Sequence, residues 1–327
     1  MKVIATFLLP LCWIAPAWAQ PRLIVIGVDG LSVDGVVSAK TVRMHELMER
    51  AAWTLVARGV MPTLSSPNWA SMIDGAGPEQ HGITSNGILR KMVEIAPVCR
   101  DSEGMFPTIF ETMRAQQPSN RIAIFHDWPG FANLVEKHAP DVMQHVNGAA
   151  KTAETAAAYW KLNHPSLMFV HLDNVDHTGH ADGWATPSYY RAVEDADRYA
   201  GVILDMLREE GALNSTYVLI SSDHGGKGRN HGKNSLEEIQ IPWILSGPGI
   251  QPGQLAAAVY TFDTAATIAM IFGLDAPACW VGRPVTTAFR STVTAAQQKN
   301  TTGQKDAAGH TCITVPTLVV AANSHRN

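Results

Sequence analysis

The sequence is poor in charge and in aromatic residues, at 17% and 7% of its 327 residues, and it has no basic excess, with 25 Lys and Arg against 29 Asp and Glu. That balance lacks the electrostatic footprint of nucleic-acid or anionic-membrane binding, so no nucleic-acid surface is expected. Only 4 cysteines occur, none in a C-x-x-C pair, which argues against a thiolate zinc site. No repeat is visible, which excludes solenoids and propellers. No apolar run reaches the roughly eighteen residues of a membrane span.

What remains is ordinary globular composition, 46% hydrophobic, enough for one large domain or two small ones. The first nineteen residues stand apart. Lys2 precedes an apolar run from Val3 to Ile14, and Ala17-Trp18-Ala19 is a small-x-small site before Gln20. This predicts a secretory signal peptide over residues 1–19, cleaved after Ala19, and a periplasmic or secreted mature protein without a membrane span. Cys12 would leave with the leader, and Cys99, Cys279 and Cys312 would meet an oxidising compartment. A Cys279–Cys312 disulfide is expected, because it would pin the C-terminal tail.

Strand-like and helix-like runs alternate along the chain. Arg22 to Val28 is continuously apolar and β-branched after its first residue, the signature of a strand buried on both faces. Further strands are expected over Thr54–Ala57, Arg121–Phe125, Leu167–Leu172, Thr216–Ser222 and Ile241–Leu245. Helices are expected over Arg43–Ala52, Pro107–Gln117, Ala149–Asn163, Pro187–Glu210 and Phe262–Phe272. This alternation predicts an α/β fold, a three-layer α/β/α sandwich around a mostly parallel sheet. Residues 20–290 form the expected catalytic domain, with a small cap insertion at 87–106. From 291 to 327 the chain turns polar and reads as a tail, with a short docked strand possible at Thr317–Ala322.

One stretch, Met61 to Asn86, gathers hydroxyls at a helix start. Thr63, Ser65 and Ser66 precede Pro67, which fits a first helical turn. Ser66 is a natural N-cap for a short helix over Asn68–Ile73, stopped by Asp74-Gly75. A hydroxyl here meets free backbone N–H groups and the positive end of the helix dipole, which suits an anionic substrate. Taken alone, the three hydroxyls are interchangeable.

Three strand ends carry metal-type side chains. The first strand ends in Asp29. The 167–172 strand runs into Asp173, Asp176, His177 and His180, with Asp176 and His180 one helical turn apart. The 216–222 strand runs into Asp223-His224, with His231 seven residues on. Carboxylate and imidazole donors without thiolate suit zinc ahead of manganese or iron. There are too many donors for one zinc. They suit two metals about 4 Å apart, which clamp the attacking and leaving oxygens of a phosphoryl transfer.

With those clusters in place, the chain resembles the alkaline phosphatase superfamily, and most closely its type I phosphodiesterase/nucleotide pyrophosphatase branch. The branch carries a T-F-P-N pattern, then T-G-x-x-P-x-x-H-G-I and an asparagine. Here the residues are Ser65-Ser66-Pro67-Asn68, then Asp74-Gly75-Ala76-Gly77-Pro78-Glu79-Gln80-His81-Gly82-Ile83, then Asn86. The D-x-x-G-H motif falls on Asp176 to His180, and D-H-G on Asp223 to Gly225. The resemblance spans about Ile24 to Val285. It implies Ser65 as nucleophile and metal ligand, and Asn86 as the group on a phosphate oxygen together with the Ser66 N–H. It implies one metal on Asp176, His180 and His231, and the other on Asp29, Asp223, His224 and the Ser65 oxygen. The expected cofactors are two divalent ions, most simply Zn2+. The expected partner is a small phosphate ester or nucleotide, and nothing in the sequence sets an oligomeric state.

Serine replaces the usual threonine of the branch, and serine is more like the superfamily's phosphomonoesterases. The arginine of the sulfatase C/S-x-P-x-R context is missing. The resemblance therefore implies a phosphodiesterase or nucleotide pyrophosphatase, with a phosphomonoesterase as the alternative and a non-catalytic metal-binding protein behind both. His81 is expected to be a structural hydrogen bonder, and Lys227, Arg229 and Arg90 are candidate phosphate-facing cations.

Overall fold

The computed structural model describes residues 20–87, 93, 95–291 and 311–312. The expected leader at 1–19, Arg90 and the 317–322 strand lie outside the described residues.

Among the described residues, ten strands and ten α-helices follow one another. Strand β1 (Arg22–Val28) leads to helices α1 (Val33–Ser38) and α2 (Val42–Met48), then β2 (Ala52–Arg58), α3 (Ser65–Asp74) and α4 (Pro78–His81). Next come β3 (Cys99–Arg100), α5 (Ile109–Gln116), β4 (Ile122–His126), β5 (Val142–His145), α6 (Ala149–Asn163) and β6 (Leu167–Leu172). The last part holds α7 (Asn174–Asp182), α8 (Pro187–Glu209), β7 (Thr216–Ser221), α9 (Leu236–Ile239), β8 (Gln240–Ser246), β9 (Gly253–Gln254), α10 (Asp263–Phe272) and β10 (Thr311–Cys312).

Eight strands make one sheet in the order β5-β4-β6-β1-β7-β8-β2-β9. All its pairings are parallel except those of β8, which runs against β7 and β2. Both faces are buried because the strand residues are apolar in succession rather than in alternation. On β1, Leu23 and Val25 enter one core, while Ile24, Ile26 and Val28 enter the other. Each such side chain contributes roughly 1.5–3 kcal/mol by leaving water. Helices α3, α5 and α10 cover the first face, and α1, α2, α6 and α8 cover the second.

The local sequence explains these boundaries. Thr108 caps α5 by accepting from the Phe110 and Glu111 N–H groups. Thr186 caps α8, where Pro187 opens the helix. The α2 N-terminus is capped from a distance: Asp197 on α8 accepts from the N–H groups of Arg43 and Met44 at 2.9 and 2.8 Å.

Two expectations are corrected. The disulfide joins Cys99 to Cys279, not Cys279 to Cys312, across a Cα–Cα distance of 6.3 Å. The chain path decides this: Cys99 is fully buried on β3 against the core face that Cys279 also packs on. Cys312, on β10, is the register partner of Cys99 in a two-stranded antiparallel ladder. Ser66 is also not the cap of α3. The helix begins at Ser65 with Leu64 in the cap position, and Asn68 N donates to the Leu64 carbonyl at 3.1 Å.

Candidate active site

The C-terminal ends of β1, β6 and β7 lie side by side, because β1 pairs with β6 on one flank and β7 on the other. Open parallel sheets bind ligands at this edge. It carries Asp29 after β1, Asp173 and α7 after β6, and Asp223-His224 after β7. Gly30 lets these segments meet. Its φ is +68°, and a Cβ there would lie 2.8 Å from the Asp176 Cα, so any side chain would push α7 off the end of β1.

The expected ligands gather into two adjoining groups, Asp176 with His180 and His231, and Asp29 with Asp223 and His224. The second is wholly buried; in the first, His180 is exposed. A third grouping, Asp29, Asp173 and Asp176, joins them. Asp173, which the resemblance leaves out of both ligand sets, has its carboxylate among them. His177 points outward to solvent.

The three imidazoles are oriented alike. His180 Nδ1 meets the Arg229 carbonyl at 2.9 Å, His231 Nδ1 the Thr63 carbonyl at 2.7 Å, and His224 Nδ1 the Gly225 carbonyl at 2.8 Å. A carbonyl only accepts, so each Nδ1 carries the proton and each Nε2 presents a lone pair inward. His180 Nε2 and His231 Nε2 then face one another at 3.1 Å. His224 Nε2 lies 3.2 Å from Ser65 Oγ, 3.1 Å from Asp223 Oδ2 and 3.5 Å from Asp29 Oδ1.

The carboxylates leave matching atoms bare. Asp29 Oδ1, Asp176 Oδ1 and Asp223 Oδ2 are buried and accept no hydrogen bond. Burial pushes Asp29 up to about 7. Burial and the neighbouring Asp29 charge push Asp173 and Asp176 up to about 8. Asp223 rises for the same two reasons, and burial lowers His224 and His231. Buried carboxylates crowded against inward imidazole lone pairs, with no Lys or Arg bound to them among the described residues, are poorly placed to hold their charge at neutral pH without cations. The donor set therefore fits divalent metal ions.

Ser65 stands at the mouth of this centre as the first residue of α3, 5% exposed. The helix is fixed at three points. Asn68 accepts from the Val60 N–H at 2.6 Å and donates to the carbonyls of Pro62 and Leu64, folding the 60–64 turn onto the first turn of the helix. His81 Nδ1 accepts from Ile83 N, so its Nε2–H donates to Ser71 Oγ at 3.0 Å, and Ser71 Oγ donates to the Pro67 carbonyl at 2.8 Å. Asn86 Oδ1 accepts from the Ser66 N–H at 2.8 Å. That last bond joins the two groups expected on a phosphate oxygen to each other.

Sequence reading missed Trp69 and His171. Both donate to Asp29 Oδ2, at 2.9 and 3.1 Å. The one available signal was a histidine inside the otherwise apolar run of β6. Lys227 forms an exposed pair with Glu237 at 3.0 Å, and the His126–Trp128 turn is engaged locally, His126 Nδ1 with the Trp128 carbonyl.

A mostly parallel sheet between helical layers, with paired carboxylate–imidazole groups at its strand C-termini, places the chain in the alkaline phosphatase superfamily. Within it the chain belongs to the type I phosphodiesterase/nucleotide pyrophosphatase family, whose model matches residues 23–239. Ectonucleotide pyrophosphatase/phosphodiesterase family member 1 of Rattus norvegicus is 22% identical over 236 residues, which are 67% of this chain and 26% of that protein. The chain thus spans about a quarter of that relative's length. The fold is similar to that of murine ectonucleotide pyrophosphatase/phosphodiesterase 5, solved as an inactive variant in complex with AMP, at a TM-score of 0.67 and 16% identity, covering 79% of this chain and 96% of that one. It is also similar to a 2-O GAG sulfatase, at a TM-score of 0.66 and 16% identity, covering 84% and 74%.

Proposed function

We propose that this protein is an exported hydrolase of phosphodiester or nucleotide pyrophosphate bonds, acting through a covalent seryl-phosphate on Ser65. Asp176, His180 and His231 hold one divalent ion, and Asp29, Asp223, His224 and the Ser65 oxygen hold the other, both zinc by ligand type. Bound there, the ions supply Lewis acidity: a lower pKa for the Ser65 hydroxyl and for water, and a counter-charge for the leaving oxygen. The observation that carries the reading is Ser65 Oγ beside the inward Nε2 of His224, with bare carboxylate oxygens behind it.

The chain's own part follows from position. Ser65 Oγ, at the positive end of the α3 dipole, gives up its proton to solvent and forms a bond to phosphorus as the bond to the leaving oxygen breaks, and that oxygen takes up a proton from solvent. Asn86 Nδ2 donates to a non-bridging oxygen as charge gathers on it. Water then attacks the seryl-phosphate, Ser65 regains its proton, and the phosphate leaves as a monoester. Catalysis resides in residues 20–290, with 87–106 as a cap and 1–19 as the export leader.

The match to the type I phosphodiesterase/nucleotide pyrophosphatase family favours the diester over the monoester. The test compares bis-p-nitrophenyl phosphate with p-nitrophenyl phosphate on zinc-loaded protein and its Ser65→Ala variant. The diester should give the higher kcat/KM, and the variant should lose at least about a thousandfold. Preference for the monoester overturns the substrate assignment, and an unimpaired Ser65→Ala overturns the nucleophile. Two bound zincs without turnover of either substrate point instead to a binding protein.

A further inference from the structure

We propose that Trp69 and His171 are positioning residues that fix Asp29 as a one-oxygen metal ligand, and so set the metal affinity of the buried Asp29–Asp223–His224 group. The proposal rests on the metal centre proposed above and adds two residues outside its ligand set.

A carboxylate at the end of a strand can turn about its last torsion and offer a metal either oxygen or both. Asp29 does not have this freedom. Trp69 Nε1–H donates to its Oδ2 at 2.9 Å and His171 to the same oxygen at 3.1 Å. Oδ1 alone is left, buried and without a hydrogen bond, aimed at His224 Nε2 3.5 Å away. Two donors on one oxygen fix both the tilt of the carboxylate and the choice of ligand atom.

The donors are themselves immobile. Trp69 comes from α3, the helix that carries Ser65, so one helix places the nucleophile and orients the ligand beside it. His171 is 0% exposed, and its other nitrogen, Nδ1, has no hydrogen-bond partner. With Asp29 as its acceptor, the ring proton sits on Nε2. The ring is held edge-on by Trp69, with centroids 4.9 Å apart, and flanked by Phe131 at 5.3 Å. A polar ring with one unmet nitrogen inside an aromatic box costs stability. A phenyl ring would fill the same space without that cost, so the imidazole is better accounted for by its contact with Asp29 than by packing.

The test is zinc binding by the purified protein, measured by competition with a chromophoric chelator alongside thermal unfolding. His171→Phe keeps the ring and removes the donor. His171→Gln restores an N–H at about the distance of Nε2 from the backbone. Trp69→Phe removes the second donor. Loss of such outer contacts typically weakens a metal site 10–100-fold. Of two zinc equivalents, one should weaken by that factor in His171→Phe and in Trp69→Phe, and return to within a few-fold of the parent in His171→Gln. Unchanged zinc affinity in both Phe variants, whatever their melting temperatures, overturns the inference. So does equal weakening in His171→Phe and His171→Gln. A parent protein that binds no zinc overturns the metal centre itself, an outcome visible before any variant is made.

Discussion

His180 Nε2 and His231 Nε2 face each other at 3.1 Å, each with its ring proton committed to a backbone carbonyl on the far side. Two lone pairs held this close repel unless a cation stands beside them. Removing either imidazole should therefore remove one ion and leave the other. In His180→Ala and His231→Ala, elemental analysis should find one zinc per chain instead of two. Two zincs in both variants would mean that these rings are not ligands.

The two groups differ in access. Asp29, Asp223 and His224 are fully buried, while the His180 side chain is 45% exposed. Excess chelator should strip zinc in two phases, the faster belonging to the Asp176–His180–His231 group. The melting temperature should drop mainly with the slow phase, because an ion there would neutralise the more deeply buried carboxylates. A single-exponential release of both ions would contradict this.

Asn86 is exposed, so its contribution to stability is small, yet its carboxamide is tied to the second residue of α3, the helix that begins at Ser65. Asn86→Ala should lower kcat/KM by about 10²–10³-fold, the usual effect of deleting one donor to a developing oxyanion. Its melting temperature should stay within a degree or two of the parent. A large fall in melting temperature with little change in kcat/KM would make it a structural residue.

Asp197 caps α2 and belongs to none of the candidate ligand groups. Asp197→Ala strands two backbone N–H groups and should cost about 1–2 kcal/mol. Denaturant titration should show the loss, with kcat/KM of the folded enzyme unchanged. A neutral effect would show that water replaces the cap without penalty.

His138 offers a pH test. It bridges Glu103 and Glu111, and pairing with Glu103 lifts its pKa above the ordinary histidine value. A raised pKa in the folded state means that the stabilisation is complete below the unfolded value of about 6.5 and is lost as pH rises through the folded one. His138→Gln should therefore lower the melting temperature below that range and have no effect well above it. Because the ring is exposed, the loss should stay under about 1 kcal/mol. Equal destabilisation at both ends of the range would mean packing rather than charge.

The sheet was legible wherever a strand is apolar on both faces. The expected limits of β1, α6 and β6 match the structure, because nothing but burial dictates those runs. Edge strand β5 was missed: Val142–His145 is short and half exposed, so its sequence lacks a core signal. The reversed direction of β8 was equally hidden, since alternation of strands and helices fixes no polarity for a single strand. The clustering of Asp29, Asp176, His180, Asp223, His224 and His231 was readable, because acidic and imidazole side chains at strand ends have few structural uses. The Ser66–Asn86 bond and the Trp69–His171 clamp were not. Each depends on where a side chain points after the chain has closed on itself, and a lone tryptophan or histidine in an apolar run reads as core.

Strand β1 lies between β6 and β7, its hydrogen-bonding neighbours, more than 130 residues further along the chain. Its place in the sheet is complete only when both distant partners have docked, and the edge that carries Asp29 is complete only with β7. Contacts this distant in sequence slow folding, since a long loop must close before any pairing repays it. The meeting of these side chains is therefore a late product of folding: a chain whose β6 and β7 have not docked has the carboxylates and imidazoles, but no place where they converge.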